Sequence, residues 1–321
     1  MLPLPPDRAD LQLRDRLPPR LRLGTSSWNY PGWAGLVWND AYAEATLSRR
    51  GLPALAQHPL FRTVSLDRAF YRPLTVAQYA DYAAQVPHDF RFVVKAPAAV
   101  TDALVRHEDG RGMQANPSFL DPALALDALV APALEGLGPK LGALVFQLSP
   151  LPVTLRRNLP RVIARLEALL AAIPLLAPQA PDAVVAVEVR DPDWIAAPHR
   201  AAFVAALKGT GATFCLGLHA KMPPIDDQLQ MLRDLWPGPL VCRWNLNPLN
   251  GRYGYEDAEV RYAPFDRILD PDLHTRTMLA KVAGATARAG HAAYVTVSNH
   301  AEGSAPHSIR LLATEIAQGP A

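Results

Sequence analysis

The chain has 321 residues, half of them hydrophobic and 19% charged, which is ordinary for a soluble globular protein that needs no disulfide or metal staple. A formal net charge of +2 is too mild to recruit nucleic acid by bulk electrostatics, and no apolar run approaches the roughly 18 residues of a membrane-spanning helix. Cys215 and Cys242, the only cysteines, lack a CxxC or His-rich neighbour, so the expectation is reduced, buried thiols, no metal site and a cytoplasmic setting.

Residues 1–20 carry prolines and alternating charge without a signal-peptide core, and are expected to be a flexible segment ahead of a single domain over 21–321. From there, eight short apolar or β-branched runs predict strands over Leu21–Thr25, Arg62–Leu66, Phe90–Lys95, Leu141–Leu148, Ala183–Arg190, Thr213–Leu218, Leu240–Trp244 and Ala292–Ser298. Helical periodicity lies between them, over Val76–Gln85, Asp121–Leu134, Leu159–Ile173, Ala201–Leu207, Ile225–Leu235 and Leu273–Ala289. Alternating strands and helices imply parallel pairing through right-handed crossovers, and eight strands close a TIM-barrel-like (β/α)8 fold of the α/β class. An open doubly wound sheet is the alternative, but the first strand ends Gly24-Thr25-Ser26-Ser27-Trp28 rather than in a glycine-rich phosphate loop. Two connections are long. Ala96–Ser118, with Thr101, Asp102, Arg106, His107, Glu108 and Gly110, follows the third strand and reads as a lid or an unstructured loop; Asn245–Pro264 follows the seventh.

Barrel chemistry collects at the carboxyl ends of strands. In the fifth strand a period of two puts Val185, Val187 and Val189 on one face, and Ala186, Glu188 and Arg190 on the other, so the charged pair projects into the barrel mouth. Glu188 is a candidate general acid or base, or half of a structural ion pair. Lys95 closes the third strand, where it can anchor an anion, act as a base, or form a Schiff base; anchoring is favoured. Gln147 ends the fourth strand, Arg243 and Asn245 the seventh, and Asp67, Arg68 and Tyr71 follow the second. Four cations (Arg68, Lys95, Arg190, Arg243) against two carboxylates (Asp67, Glu188) favour an anionic ligand, a phosphate above all. After the eighth strand, Asn299 and Glu302 precede a helix with Ser304 as a suitable N-cap, a common phosphate seat. His300, Glu302 and His307 match no strong metal-binding spacing. Trp28, Trp33, Tyr71 and Trp194 are able to stack on a base or sugar, or to pack in the core.

The block Leu23-Gly24-Thr25-Ser26-Ser27-Trp28-Asn29-Tyr30 resembles the opening of domain-of-unknown-function family 72, the YecE-like proteins. The resemblance continues in order through Phe70-Tyr71-Arg72, Asp89–Pro97, Leu141–Leu148, Glu188–Trp194 and Asn299–Gly303. It spans residues 21–316 and implies a (β/α)8-like barrel with a cleft at its carboxyl face, but no established reaction. Measured against that family's pattern, Ser27 replaces a glycine, Ser65 an acidic residue, Asp67 an asparagine, Asp191 a histidine, Asn245 a histidine and Ser298 an asparagine, so the chain resembles a divergent branch.

Three functions compete. The first is an enzyme, a hydrolase or lyase, acting on a small phosphate-bearing substrate. Glu188, Lys95 and Asp67 would be its catalytic groups, with Thr25, Ser26, Trp28, Arg68, Tyr71, Gln147, Arg190, Arg243, Asn245, Asn299 and Glu302 binding substrate. The second is a non-catalytic barrel that binds a ligand or nucleic acid. The third is a metal-dependent nuclease resembling the endonuclease IV-like barrels, for which only Asp67, Glu188, His219, His300 and Glu302 are available as donors. No cofactor is required by the sequence, no membrane partner is expected, and a monomer is.

Overall fold

All eight predicted strands are present in the computed structural model, which describes residues 3–106, 112–251 and 254–319. In chain order they are β1 (Leu21–Thr25), β2 (Thr63–Leu66), β3 (Arg91–Lys95), β4 (Leu141–Gln147), β5 (Val184–Glu188), β6 (Thr213–Leu218), β7 (Leu240–Trp244) and β8 (Ala293–Val297). Each pairs in parallel with its sequence neighbours, and β1 closes the barrel by pairing with β8, Leu21 opposite Ala293 and Thr25 opposite Val297. The strands are apolar along their length because both faces are buried. One face fills the barrel interior, where Val93, Val145, Ala186, Cys215, Val241 and Tyr294 pack together. The other face, including Val187 and Val189, meets the helices.

The helices follow from the same patterning. Helix Leu159–Ala171 buries Leu159, Val162, Ile163, Leu166, Leu169 and Leu170, a stripe at helical spacing in which each side chain contributes about 1.5–3 kcal/mol of transfer free energy. Helix Val76–Ala84 starts at a capping box, the Thr75 hydroxyl accepting from the Gln78 amide while the Gln78 side chain accepts from the Thr75 amide. Among the described residues, no helix is long and apolar enough to cross a membrane. Both cysteines are buried and unbonded to each other.

Three connections differ from expectation. Residues 8–15, inside the segment expected to be flexible, form a helix (Arg8–Asp15) capped by Asp7 and packed against the last helix, Ala305–Gln318. Leu13 is buried there, and Arg310 pairs with both Asp7 and Asp10 at 2.9 Å. The loop after β3 is not shapeless: a helical turn (Ala98–Thr101) leads into an antiparallel hairpin, Leu104–Arg106 with Gly112–Ala115. The expected loop residues His107, Glu108 and Gly110 lie outside the described residues. The Asn247 side chain anchors the loop after β7, donating to the Asp270 and Ala301 carbonyls and accepting from the Leu249 amide. Helix Tyr255–Tyr262 follows in that loop and packs against the short turn Asn299–Ala301 after β8.

Candidate functional site

The carboxyl ends of the strands surround a cleft of about 630 Å3. At its floor, β5 and β7 each contribute one ionised side chain to a cluster of four. Arg243 points inward from β7, 3% exposed, and donates through Nη1 to Glu188 Oε2 and through Nη2 to Asp67 Oδ2, each at 2.7 Å. Arg190 Nη2 sits 2.6 Å from Glu188 Oε1 and 3.4 Å from Gln147 Oε1. The Ser65 hydroxyl extends the chain of contacts, donating to Asp67 Oδ1 at 2.6 Å. A lone buried carboxylate would be expensive; two guanidinium partners make Glu188 tolerable at zero exposure.

Backbone makes room for this cluster. Gly217 on β6 lies opposite Arg243 in register, and a Cβ there would stand 2.9 Å from Glu188 Cγ and 3.1 Å from Oε1. The Glu188 side chain therefore occupies the volume that any other residue at 217 would fill.

The electrostatics follow from these contacts. Burial works to raise the Glu188 and Asp67 carboxyls, but the arginines outweigh it, with Lys95 adding to the effect, and both are held below their ordinary values. The cluster thus sets two arginines against two carboxylates. Lys95 is the exception at the floor. Its ammonium group lies 3.5 Å from the centre of the Phe70 ring, and among the described residues it makes no hydrogen bond or ion pair. Burial, and then Arg243, drive the amine down to about 7, against the opposing pull of Asp67 and Glu188. His219, on the loop after β6, is pushed down to about 3 by burial and Arg190, so its ring is neutral, with Nδ1 accepting from the Lys221 amide.

The structure sorts the candidate residues. Ser26, Trp28, Asp67, Arg68, Tyr71, Lys95, Gln147, Arg190, Arg243 and Asn245 all line the cleft. Glu188 lies just beneath it, with both oxygens on arginines, in the position of an anchor rather than of an exposed acid or base. Three candidates fall elsewhere. Thr25 is fully buried and does not line the cleft. Asn299 accepts through Oδ1 from Trp33 Nε1 and the Ala305 amide, tying the loop after β8 to the last helix. Glu302 accepts through Oε1 from Arg276 and the Asp272 amide. One oxygen of each is thus engaged by backbone and core groups, while Asn299 Nδ2 and Glu302 Oε2 have no hydrogen-bond partner among the described residues, and neither residue lines the cleft.

The count of cations left for a ligand falls from four to two, Lys95 and Arg68, because Arg243 and Arg190 are already neutralised by Glu188 and Asp67. Trp33 and Trp194 are core residues with no exposure, whereas Trp28 and Tyr71 do border the cleft. Residues that sequence reasoning did not single out as binding groups join them, notably Tyr30, Tyr82 and Tyr255. His300 lines the opposite wall, bonded to Ser298 and Glu259. The donors considered for a metal are engaged elsewhere: Asp67 and Glu188 accept from Arg243, His219 accepts from the Lys221 amide, His300 bonds Glu259, and Glu302 accepts from Arg276. Among the described residues no three His, Cys, Asp or Glu side chains converge on one point.

Five cleft-lining side chains carry a buried donor with no hydrogen-bond partner among the described residues: Ser26 Oγ, Trp28 Nε1, Arg190 Nε, Arg243 Nε and Asn245 Nδ2. An unpaired buried donor costs about 1–3 kcal/mol, so a lining with five of them favours a ligand rich in acceptors.

The sequence matches the family described as "Protein of unknown function DUF72" over residues 22–320. A DUF72 family protein from Enterococcus faecalis V583 has a similar structure, with TM-score 0.59 and 16% identity, over 92% of this chain and 95% of that one. A DUF72 family protein from Thermotoga maritima MSB8 aligns with TM-score 0.51 at 16% identity, over 93% of this chain and 98% of that one. At these identities the likeness is one of fold. No curated protein matches the chain.

Proposed function

Starting from the fact that this chain belongs to the DUF72 family, for which no reaction is described, we propose that it is an enzyme acting on a small oxyanion-bearing substrate at the carboxyl face of its barrel. The observation that carries this reading is Lys95: an amine on the cleft floor with no hydrogen-bonding or ionic partner among the described residues, next to a charge-balanced Arg–carboxylate cluster. In this reading the cluster is the frame and Lys95 is the working group. Held near 7, its amine exchanges a proton at neutral pH, which suits general acid–base catalysis. Arg68 at the rim and the outer edge of Arg190 supply the remaining positive potential for a phosphate or carboxylate. Ser26, Trp28 and Asn245 supply neutral donors to the same oxygens, and Tyr71 forms part of the wall.

The experiment is a thermal-shift screen of purified protein against inorganic phosphate, sugar phosphates, nucleotides, small carboxylates and oligonucleotides. A ligand at about 100 times its dissociation constant adds roughly 2.7 kcal/mol, enough to move the midpoint by several degrees. Shifts with small oxyanions that disappear in Lys95→Ala support the assignment. A shift confined to oligonucleotides, or one unchanged in Lys95→Ala, refutes it.

A further inference from the structure

Resting on the reading of the cleft as an oxyanion site, we propose that Lys95 is a covalent nucleophile, forming an imine with a small aldehyde or ketone that also carries an oxyanion. Geometry supplies the first argument. Nζ lies against the face of Phe70 in a cleft large enough for a small molecule, and among the described residues no carboxylate pairs with it to hold it as an ammonium ion. Its charged surroundings are Arg243 from β7, Asp67 from the end of β2, and Glu188 and Arg190 from β5. Because the carboxylates are occupied by the arginines, these neighbours leave the amine its lone pair. A desolvated lysine beside other cations is the environment in which a primary amine becomes nucleophilic at neutral pH.

Composition supplies the second argument. The chain has 27 arginines and only five lysines, and two of those five, Lys95 and Lys221, line this cleft. For electrostatic anchoring alone, arginine is the better residue, with a planar fork that grips phosphate or carboxylate through two bonds. An arginine-rich chain that keeps an amine at the centre of the cleft floor retains the one property arginine lacks, a lone pair that can form a bond to carbon.

The step balances without a further reagent. The neutral amine attacks the carbonyl carbon, a C–N bond forms, and the carbonyl π pair moves to oxygen. Both amine protons leave with that oxygen as water, giving the C=N bond, which takes up one proton from solvent to become the iminium ion. The substrate's oxyanion, held by Arg190 and Arg68, positions the carbonyl over Nζ.

Reductive trapping tests this on the full-length protein. Glyoxylate and pyruvate serve as oxyanion-bearing carbonyls, propionaldehyde as the uncharged control, and cyanoborohydride as the hydride donor at pH 7, with peptide mapping by mass spectrometry. The expected result is one adduct at Lys95 from the charged carbonyls. Its rate should exceed that at surface Lys208 and Lys281 on the order of a hundredfold, since an ordinary lysine with a pKa of about 10.4 is well under 1% neutral at pH 7. The adduct should be missing in Lys95→Arg, with circular dichroism confirming that the variant folds. Adducts spread evenly over the surface lysines, or none at Lys95, overturn the covalent role. If small oxyanions still shift the melting temperature in that case, only the imine fails and the oxyanion cleft stands; no shift and no adduct overturns both.

Discussion

Replacing Glu188 with alanine removes the carboxylate that two arginines share, and the consequence can be worked from the geometry. Arg243 keeps one partner, Asp67, but loses its bond to Glu188; Arg190 loses its one carboxylate partner among the described residues and retains a 3.4 Å contact to Gln147. Both guanidinium groups are nearly buried, with side chains 3% and 10% exposed. Removing one member of a buried ion pair costs about 3–5 kcal/mol, because the remaining charge is left uncompensated. In a chain of this length each kcal/mol moves the melting temperature by about 2 °C, so Glu188→Ala should lower it by roughly 6–10 °C. Glu188→Gln keeps the volume and one acceptor, and should lose less. The pH dependence has a definite sign. Folding lowers the Glu188 pKa below its ordinary 4.5, so its contribution is complete above about 4.5 and is lost as pH falls through the lower folded value. Wild type and Glu188→Ala should therefore converge in strongly acidic solution. Differential scanning fluorimetry from pH 3 to 8 measures both effects. A variant within about 1 °C of wild type at pH 7 would refute the account of the cluster as a frame.

Three further outcomes follow from other parts of the structure. Gly217→Ala places a methyl group against Glu188 Cγ and should cost about 1–3 kcal/mol by overpacking, read from the urea midpoint. Lys95→Met should raise the melting temperature while abolishing oxyanion-induced shifts. Folding lowers the lysine from 10.5 to about 7, so its contribution is complete above pH 10.5 and lost as pH falls toward 7; the gain in the variant should be largest below pH 7 and vanish near 10.5. Leu13→Ala, in the N-terminal helix, should cost about 2 kcal/mol by equilibrium denaturation, whereas a flexible segment would register nothing.

The barrel was legible because parallel strands buried on both faces read as unbroken apolar runs, and the eight runs match β1–β8 to within a residue or two at most ends. The inward direction of Glu188 followed from the period of two along β5. Less legible were elements whose stability comes from partners distant in sequence. Helix Arg8–Asp15 is polar along most of its length and is held by Leu13 and by Arg310, about 300 residues away, so no local stripe announced it. Strand-end logic found Lys95, Asp67 and Arg243, but overlooked Tyr30, Tyr82 and Tyr255, which reach the cleft from loops and helices whose placement depends on the closed barrel. The bonds that Asn299 and Glu302 make within the fold were hidden for another reason. A buried polar side chain at a helix start serves equally to satisfy the fold's own backbone groups, and composition cannot separate that role from ligand binding. Pairing was hidden in the same way: four cations against two carboxylates suggested a strongly positive mouth, while the structure spends two of those cations within the cluster.

The most direct test of the central claim is a crystal structure of the protein soaked in inorganic phosphate at pH 6.5, where the Lys95 amine is largely protonated. The account predicts a phosphate on the cleft floor with an oxygen within hydrogen-bonding distance of Lys95 Nζ and a second donor from Arg190, Ser26 or Asn245, over an intact Arg243–Glu188–Asp67 cluster. Phosphate bound only at surface arginines, with Lys95 turned away from the cleft or paired to a carboxylate, would contradict it.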